Sequence, residues 1–173
     1  MSDNMPQYIT IIKDTPIWVW ILLVFLVIRG IKALSSREMS IWRIFLLPSV
    51  FLVWGIHSVL TETYFSNLSL VMMGIGLIFG TTIGWILWRS QPRLRKKTHS
   101  NLIIRPGTPL TLIVIIITFV SKFIMTALLS IYPILLHSLH YNLFFGLLSG
   151  LLDGIFCGGT LNLFISWCKN KSS

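Results

Sequence analysis

The chain has 173 residues, of which 54% are hydrophobic and only 11% charged, with a net charge of +9. That balance excludes an ordinary soluble domain, and the length leaves room for one modest domain. Two cysteines without a CxxC motif argue against a disulfide scaffold or a thiol–disulfide enzyme.

Five apolar runs, residues 16–34, 41–60, 68–88, 109–132 and 143–167, are long enough to cross a bilayer core of about 30 Å. The residues before the first run lack the basic start and small-residue cleavage site of a secretory signal, so that run reads as a retained anchor. The predicted fold is all-α: a polytopic membrane bundle of five transmembrane helices, forming a single domain over residues 1–173.

Charge placement orients the bundle. Arg29, Lys32, Arg37 and Arg43 flank the first connection, a basic loop fills 89–108, and Lys169 and Lys171 follow the last run. Together these places hold twelve of the fourteen basic residues, and in a five-span chain all three fall on one side. The positive-inside rule then puts the N-terminus out and the C-terminus in. A four- or six-span count would break the alternation. Aromatic residues fit two belts, Trp18, Trp20, Tyr64, Tyr132 and Tyr141 at one interface and Trp42, Trp85, Trp88 and Trp167 at the other.

In chain order, Arg29 ends the first run and can snorkel to headgroups. Pro48 in the second run predicts a kink that frees a carbonyl. The third run carries Gly76, Gly80 and Gly84 at spacing four, a pattern that lets two helices approach closely. The loop after it is basic through Arg89, Arg93, Arg95, Lys96, Lys97 and Arg105. It reads as a topology determinant facing anionic lipid headgroups, or else as a cytoplasmic docking site. Nucleic acid is disfavoured, because no aromatic residues interleave the charges.

Two ionisable residues fall inside the last two runs. Lys122 lies ten residues before Tyr132 and Asp153 ten after Leu143, so both sit about 15 Å below the same boundary in antiparallel spans. Equal depth predicts an intramembrane ion pair. Thr118 and Thr126 flank Lys122 at i±4, and Ser149 and Cys157 flank Asp153 likewise. The fifth run also carries Gly146, Gly150, Gly154 and Gly158, a helix-packing stripe bordered by Ser149, Asp153 and Thr160. Bulk at Gly150 or Gly154 is expected to be costly, and at Gly146, nearer the helix end, less so. Cys157 and Cys168 are about 16 Å apart along one helix, beyond disulfide reach. His57, His137 and His140 are weak metal candidates on the outer side, without a ligand pattern. No cofactor is implied.

The segments "TPIWVWILLVFLVIRGIKALSSREMSIWRIFLLPSVFLVWGI" and "RPGTPLTLIVIIITFVSKF" carry a further signal. Pro16, Trp18, Arg29, Gly30, Arg37, Pro48, Pro106, Gly107, Pro109, Leu110 and Lys122 resemble a family of small bacterial inner-membrane proteins with a domain of unknown function. The resemblance implies the bacterial cytoplasmic membrane and supplies no reaction or substrate. Three classes of function follow. The first is a non-enzymatic helper or interaction subunit, with a second copy or another membrane protein as partner. The second is a small proton- or ion-coupled carrier or channel using Lys122 and Asp153. The third is a membrane enzyme or cofactor protein using the outer histidines.

Overall fold

A computed structural model describes residues 17–91, 94–96 and 103–171. Five α-helices dominate it: α1 (Ile17–Lys32), α2 (Leu46–Glu62), α3 (Ser66–Arg89), α4 (Pro109–Ile131) and α5 (Leu139–Lys171). A 3-10 turn, Ile41–Ile44, leads into α2, and another, Pro133–His137, joins α4 to α5. Among the described residues, four stretches are long and apolar enough to cross a membrane: Ile41–Glu62, Ser66–Arg89, Pro109–Ile131 and Leu139–Lys169. In the structure α1 is described over sixteen residues and falls outside that set.

The central helix is α5, which packs against α2, α3 and α4, while α1 leans on α4. Helices α3 and α5 run parallel and nearly touch. A Cβ built on Gly76 would collide with the Leu147 carbonyl, one on Gly80 with that of Leu151, and one on Gly84 with that of Ile155. From the other side, Gly146 faces Ser69, Gly150 faces Met73, Gly154 faces Leu77 and Gly158 faces Thr81, each through backbone atoms. Without side chains at these seven positions the two backbones gain dispersion and weak Cα–H contacts along four turns. Gly146 packs as closely as the rest, since a methyl there would stand 2.9 Å from the Ser69 carbonyl carbon. A smaller cost at Gly146, expected from its place near the helix end, is therefore corrected.

Asn142, fully buried, ties the first turns of these two helices together. Its Nδ2 donates to the Ser138 carbonyl at 2.6 Å, its Oδ1 accepts from the Phe65 N–H at 3.4 Å, and its carbonyl accepts from the Ser69 hydroxyl at 3.1 Å.

Pro48 stands in the first turn of α2, where its missing N–H breaks no intrahelical bond. The interruption falls ahead of it, at Phe45, where the 3-10 turn ends. The carbonyl of Ile44, four residues before Pro48, instead accepts a long 3.5 Å hydrogen bond from Thr160 Oγ1 on α5.

The connections expected as loops contain a small sheet. Three short strands, β1 (Arg37–Met39), β2 (Arg95–Lys96) and β3 (Ile103–Arg105), pair antiparallel in the order β1-β3-β2. Arg37 pairs with Arg105 and Lys96 with Ile103. Leu94 and Ile103 are buried against the apolar core, which anchors this segment to the bundle. Leu94 and Ile103 thus tether this connection to the bundle. Arg93 and Lys97 lie outside the described residues. The Pro106–Gly107 turn closes on the end of α1: the Thr108 N–H donates to the Ala33 carbonyl at 2.8 Å. Only glycine fits beside it, because a methyl on Gly107 would collide with the Leu34 carbonyl.

The sheet gathers the connection after α1 and the connection after α3 at one end of the bundle. Two residues assigned to the aromatic belts instead belong to the interior. Tyr141 is 8% exposed and donates its hydroxyl to the Met125 carbonyl at 2.7 Å, and Trp88 is 4% exposed in the core. Periodicity near a helix end does not distinguish an inward aromatic from an interfacial one.

Candidate functional site

Two apolar clusters fill the bundle, with a polar layer between them. At the sheet end, Phe51, Phe119, Phe156, Trp88 and Leu163 pack together with Leu94 and Ile103. At the other end are Val59, Met73, Met125, Tyr141 and Phe145. Between them α2 contributes Gly55 and Ser58, α4 contributes Thr118 and Lys122, and α5 contributes Ser149 and Asp153, all buried.

Lys122 Nζ donates to Ser149 Oγ at 2.9 Å and to Asp153 Oδ2 at 3.1 Å, and it lies 3.1 Å from Oδ1 as well. The ammonium therefore straddles the carboxylate. Only Oδ2 receives an aligned hydrogen bond, so Oδ1 keeps the charge contact without one. The Trp54 ring covers the ammonium from α2, with its centroid 5.4 Å from Nζ, a cation–π distance. Lys122 is 4% exposed and Asp153 0%. Isolated, each ion would carry a penalty of several kcal/mol, which pairing and the extra donors and π face offset in part. A cavity of about 10 Å³ beside Lys122 and Ser149 has room for about one water molecule. Thr118 Oγ1, one turn from Lys122, is buried without a hydrogen-bond partner among the described residues.

The feature that sequence reasoning missed is Gly55. A methyl there would collide with Asp153 Oδ2 and stand 2.9 Å from Lys122 Nζ and 3.1 Å from Met73 Cε. The bare backbone of α2 makes the space that the pair fills. A single glycine carries no periodic signal, and its partner depends on which helices meet. Gly55→Ala should therefore push the carboxylate off the ammonium and destabilise the protein by about 1–3 kcal/mol, the usual cost of overpacking. A thermal melt in detergent checks this, and a melt equal to that of wild type would contradict it.

Glu62 is a second carboxylate near the layer. It accepts from Thr126 Oγ1 at 2.6 Å, and Thr126 Oγ1 lies 3.1 Å from the Lys122 carbonyl.

Toward the sheet end the layer is closed by aromatic rings. Phe51 and Phe156 stack with centroids 4.6 Å apart and planes 6° from parallel, and Trp54 packs on Phe119 at 5.9 Å. The histidines do not gather. His57 is exposed on the rim of an apolar groove of about 850 Å³ between α1 and α2, and His137 packs edge-on against Tyr64 at 4.7 Å. His140 is exposed at the start of α5. Among the described residues no three His, Cys, Asp or Glu side chains converge. Cys157 and Cys168 are both free.

Long apolar helices packed around a buried ion pair define a helical membrane protein by length and composition. A family model described as a family of unknown function (DUF6622) matches residues 2–172, and the chain belongs to that family. It is also 29% identical over 82 residues to an uncharacterised protein of Pasteurella multocida (strain Pm70). That match covers 47% of this chain and 60% of the relative, so the chain spans less than two thirds of the relative's length. No solved structure matches.

Proposed function

We propose that this is a five-span protein of the bacterial cytoplasmic membrane, N-terminus outside and C-terminus inside, that acts as a non-enzymatic interaction subunit. The observation that carries the reading is the closure of the polar layer. The Lys122–Asp153 pair is buried, the stacked Phe51 and Phe156 rings lie between it and the sheet end, and α3 and α5 touch along their backbones. A pair so enclosed fixes which helix faces meet and at what height, a register role known for buried polar groups. Its partners are anionic headgroups at the inner face and a second copy or another membrane protein.

The orientation is supported by the basic residues at the sheet end of the bundle and by the alternation of helix directions. Phe51 against Phe156 with Gly55 against Asp153, and Lys122 against Asp153 with Met125 against Tyr141, make α2 and α4 antiparallel to α5, while α3 runs with it. Reporter fusions after Gln91 and at the C-terminus should report the cytoplasm, and insertions at the exposed positions Asn67 and His140 should report the outside. A cytoplasmic signal at Asn67 would overturn the five-span reading.

One observation favours a carrier as the second reading. Glu62, bonded to exposed Thr126 one helical turn from Lys122, places a second carboxylate on the side of the layer away from the sheet. Purified protein reconstituted in vesicles separates the two. An interaction subunit gives no ion- or proton-dependent flux above empty vesicles. A flux that disappears in Lys122→Met with Asp153→Leu would replace the first reading with the second.

A further inference from the structure

A separate cavity of about 320 Å³, lined by both polar and apolar side chains, lies at the sheet end between the C-terminal parts of α3 and α5. Arg89 and Lys169 border it, with Gln91, Asn162, Ser166 and Trp85. No carboxylate lines it, and among the described residues neither Arg89 nor Lys169 is paired with one. Asn162 is only 8% exposed and is held at the cavity by a 3.3 Å hydrogen bond from its Nδ2 to the Trp85 carbonyl. Two cations without a carboxylate partner among the described residues, set beside amide and hydroxyl groups, suit an anion.

The charge balance selects the anion. Two side-chain cations with no carboxylate among the lining residues suit a phosphodiester, whose charge Arg89 and Lys169 can share. The indole of Trp85 and the apolar wall beside it suit the glycerol and upper acyl chain of a lipid. From this we infer that the cavity holds the phosphodiester headgroup of an anionic phospholipid. The inference rests on the helices crossing a membrane. If that reading failed, the reporter fusions would show it independently of any lipid titration.

The full chain in detergent is titrated with phosphatidylglycerol, with phosphatidylcholine and with soluble glycerophosphoglycerol, with the shift in melting temperature or native mass spectra as readout. Phosphatidylglycerol should bind saturably, at least tenfold tighter than the other two. Arg89→Gln with Lys169→Gln should weaken it at least tenfold, a factor of ten being about 1.4 kcal/mol. Arg43→Gln, an exposed cation outside the cavity, should leave it unchanged. Equal binding to the double variant, or equal loss with Arg43→Gln, would overturn the site by reducing it to general attraction for basic protein. Soluble diester bound as tightly as lipid would overturn the lipid assignment.

Discussion

Gly150→Leu and Gly80→Leu should each leave little folded protein in detergent. A methyl at Gly150 would collide with the Met73 carbonyl oxygen and stand 2.7 Å from its carbon, and one at Gly80 would stand 2.8 Å from the Leu151 carbonyl carbon. These neighbours are backbone, not the ends of flexible side chains, so relief requires α3 and α5 to separate. Separation forfeits the dispersion along the whole seam, and the cost should exceed about 3 kcal/mol, the upper end of ordinary overpacking. Gly146→Leu should be as damaging, since Ser69 backbone faces it just as closely. Gly74→Leu is the control, because nothing lies within 4 Å of where its methyl would stand. Fluorescence-detected size exclusion after heating ranks the four variants. If Gly150→Leu survives heating as Gly74→Leu does, the contact between the two helices is wrong.

Lys122→Met and Asp153→Leu should each destabilise strongly, by about 3–5 kcal/mol, the cost of stranding one ion of a buried pair. Met keeps the straight stem of lysine, and Leu keeps the branched heavy-atom skeleton of aspartate with somewhat more bulk, so neither change opens a large cavity and most of the loss comes from the stranded charge. After Asp153→Leu the ammonium keeps Ser149 and the Trp54 face but has no enclosed counter-ion. After Lys122→Met the carboxylate loses its only hydrogen-bond donor among the described residues. Ser149→Ala removes one acceptor at 2.9 Å and should cost about 1 kcal/mol. Thermal melts of the three variants should therefore fall into two classes.

Much of this layer can be read from the chain, for physical reasons. Glycines at spacing four mark a face whatever that face meets, so Gly76 to Gly84 and Gly146 to Gly158 announce a close contact before either partner is known. Depth in a span follows from counting residues, which is why Lys122 and Asp153 stand out as candidates for one another. Contacts that depend on rotation or on the third helix are not legible. Gly55 is one glycine in an apolar run, and Glu62 reads as a residue at the water boundary. The sheet is hidden because its strands have only two or three residues each, too few to show alternation. Tyr141 and Trp88 carry the composition of an interfacial belt, and only packing turns them inward.

The pair itself is tested most directly by the double variant Lys122→Met with Asp153→Leu. If the two charges hold one another, the double variant leaves no stranded ion. It should then recover most of the stability that either single change removes, so that the two losses fall well short of adding. Measured in one detergent by thermal melts of wild type, both single variants and the double variant, the expected coupling is about 3 kcal/mol. Losses that add within about 0.5 kcal/mol would mean that Lys122 and Asp153 do not interact, and the account of the buried layer would fail.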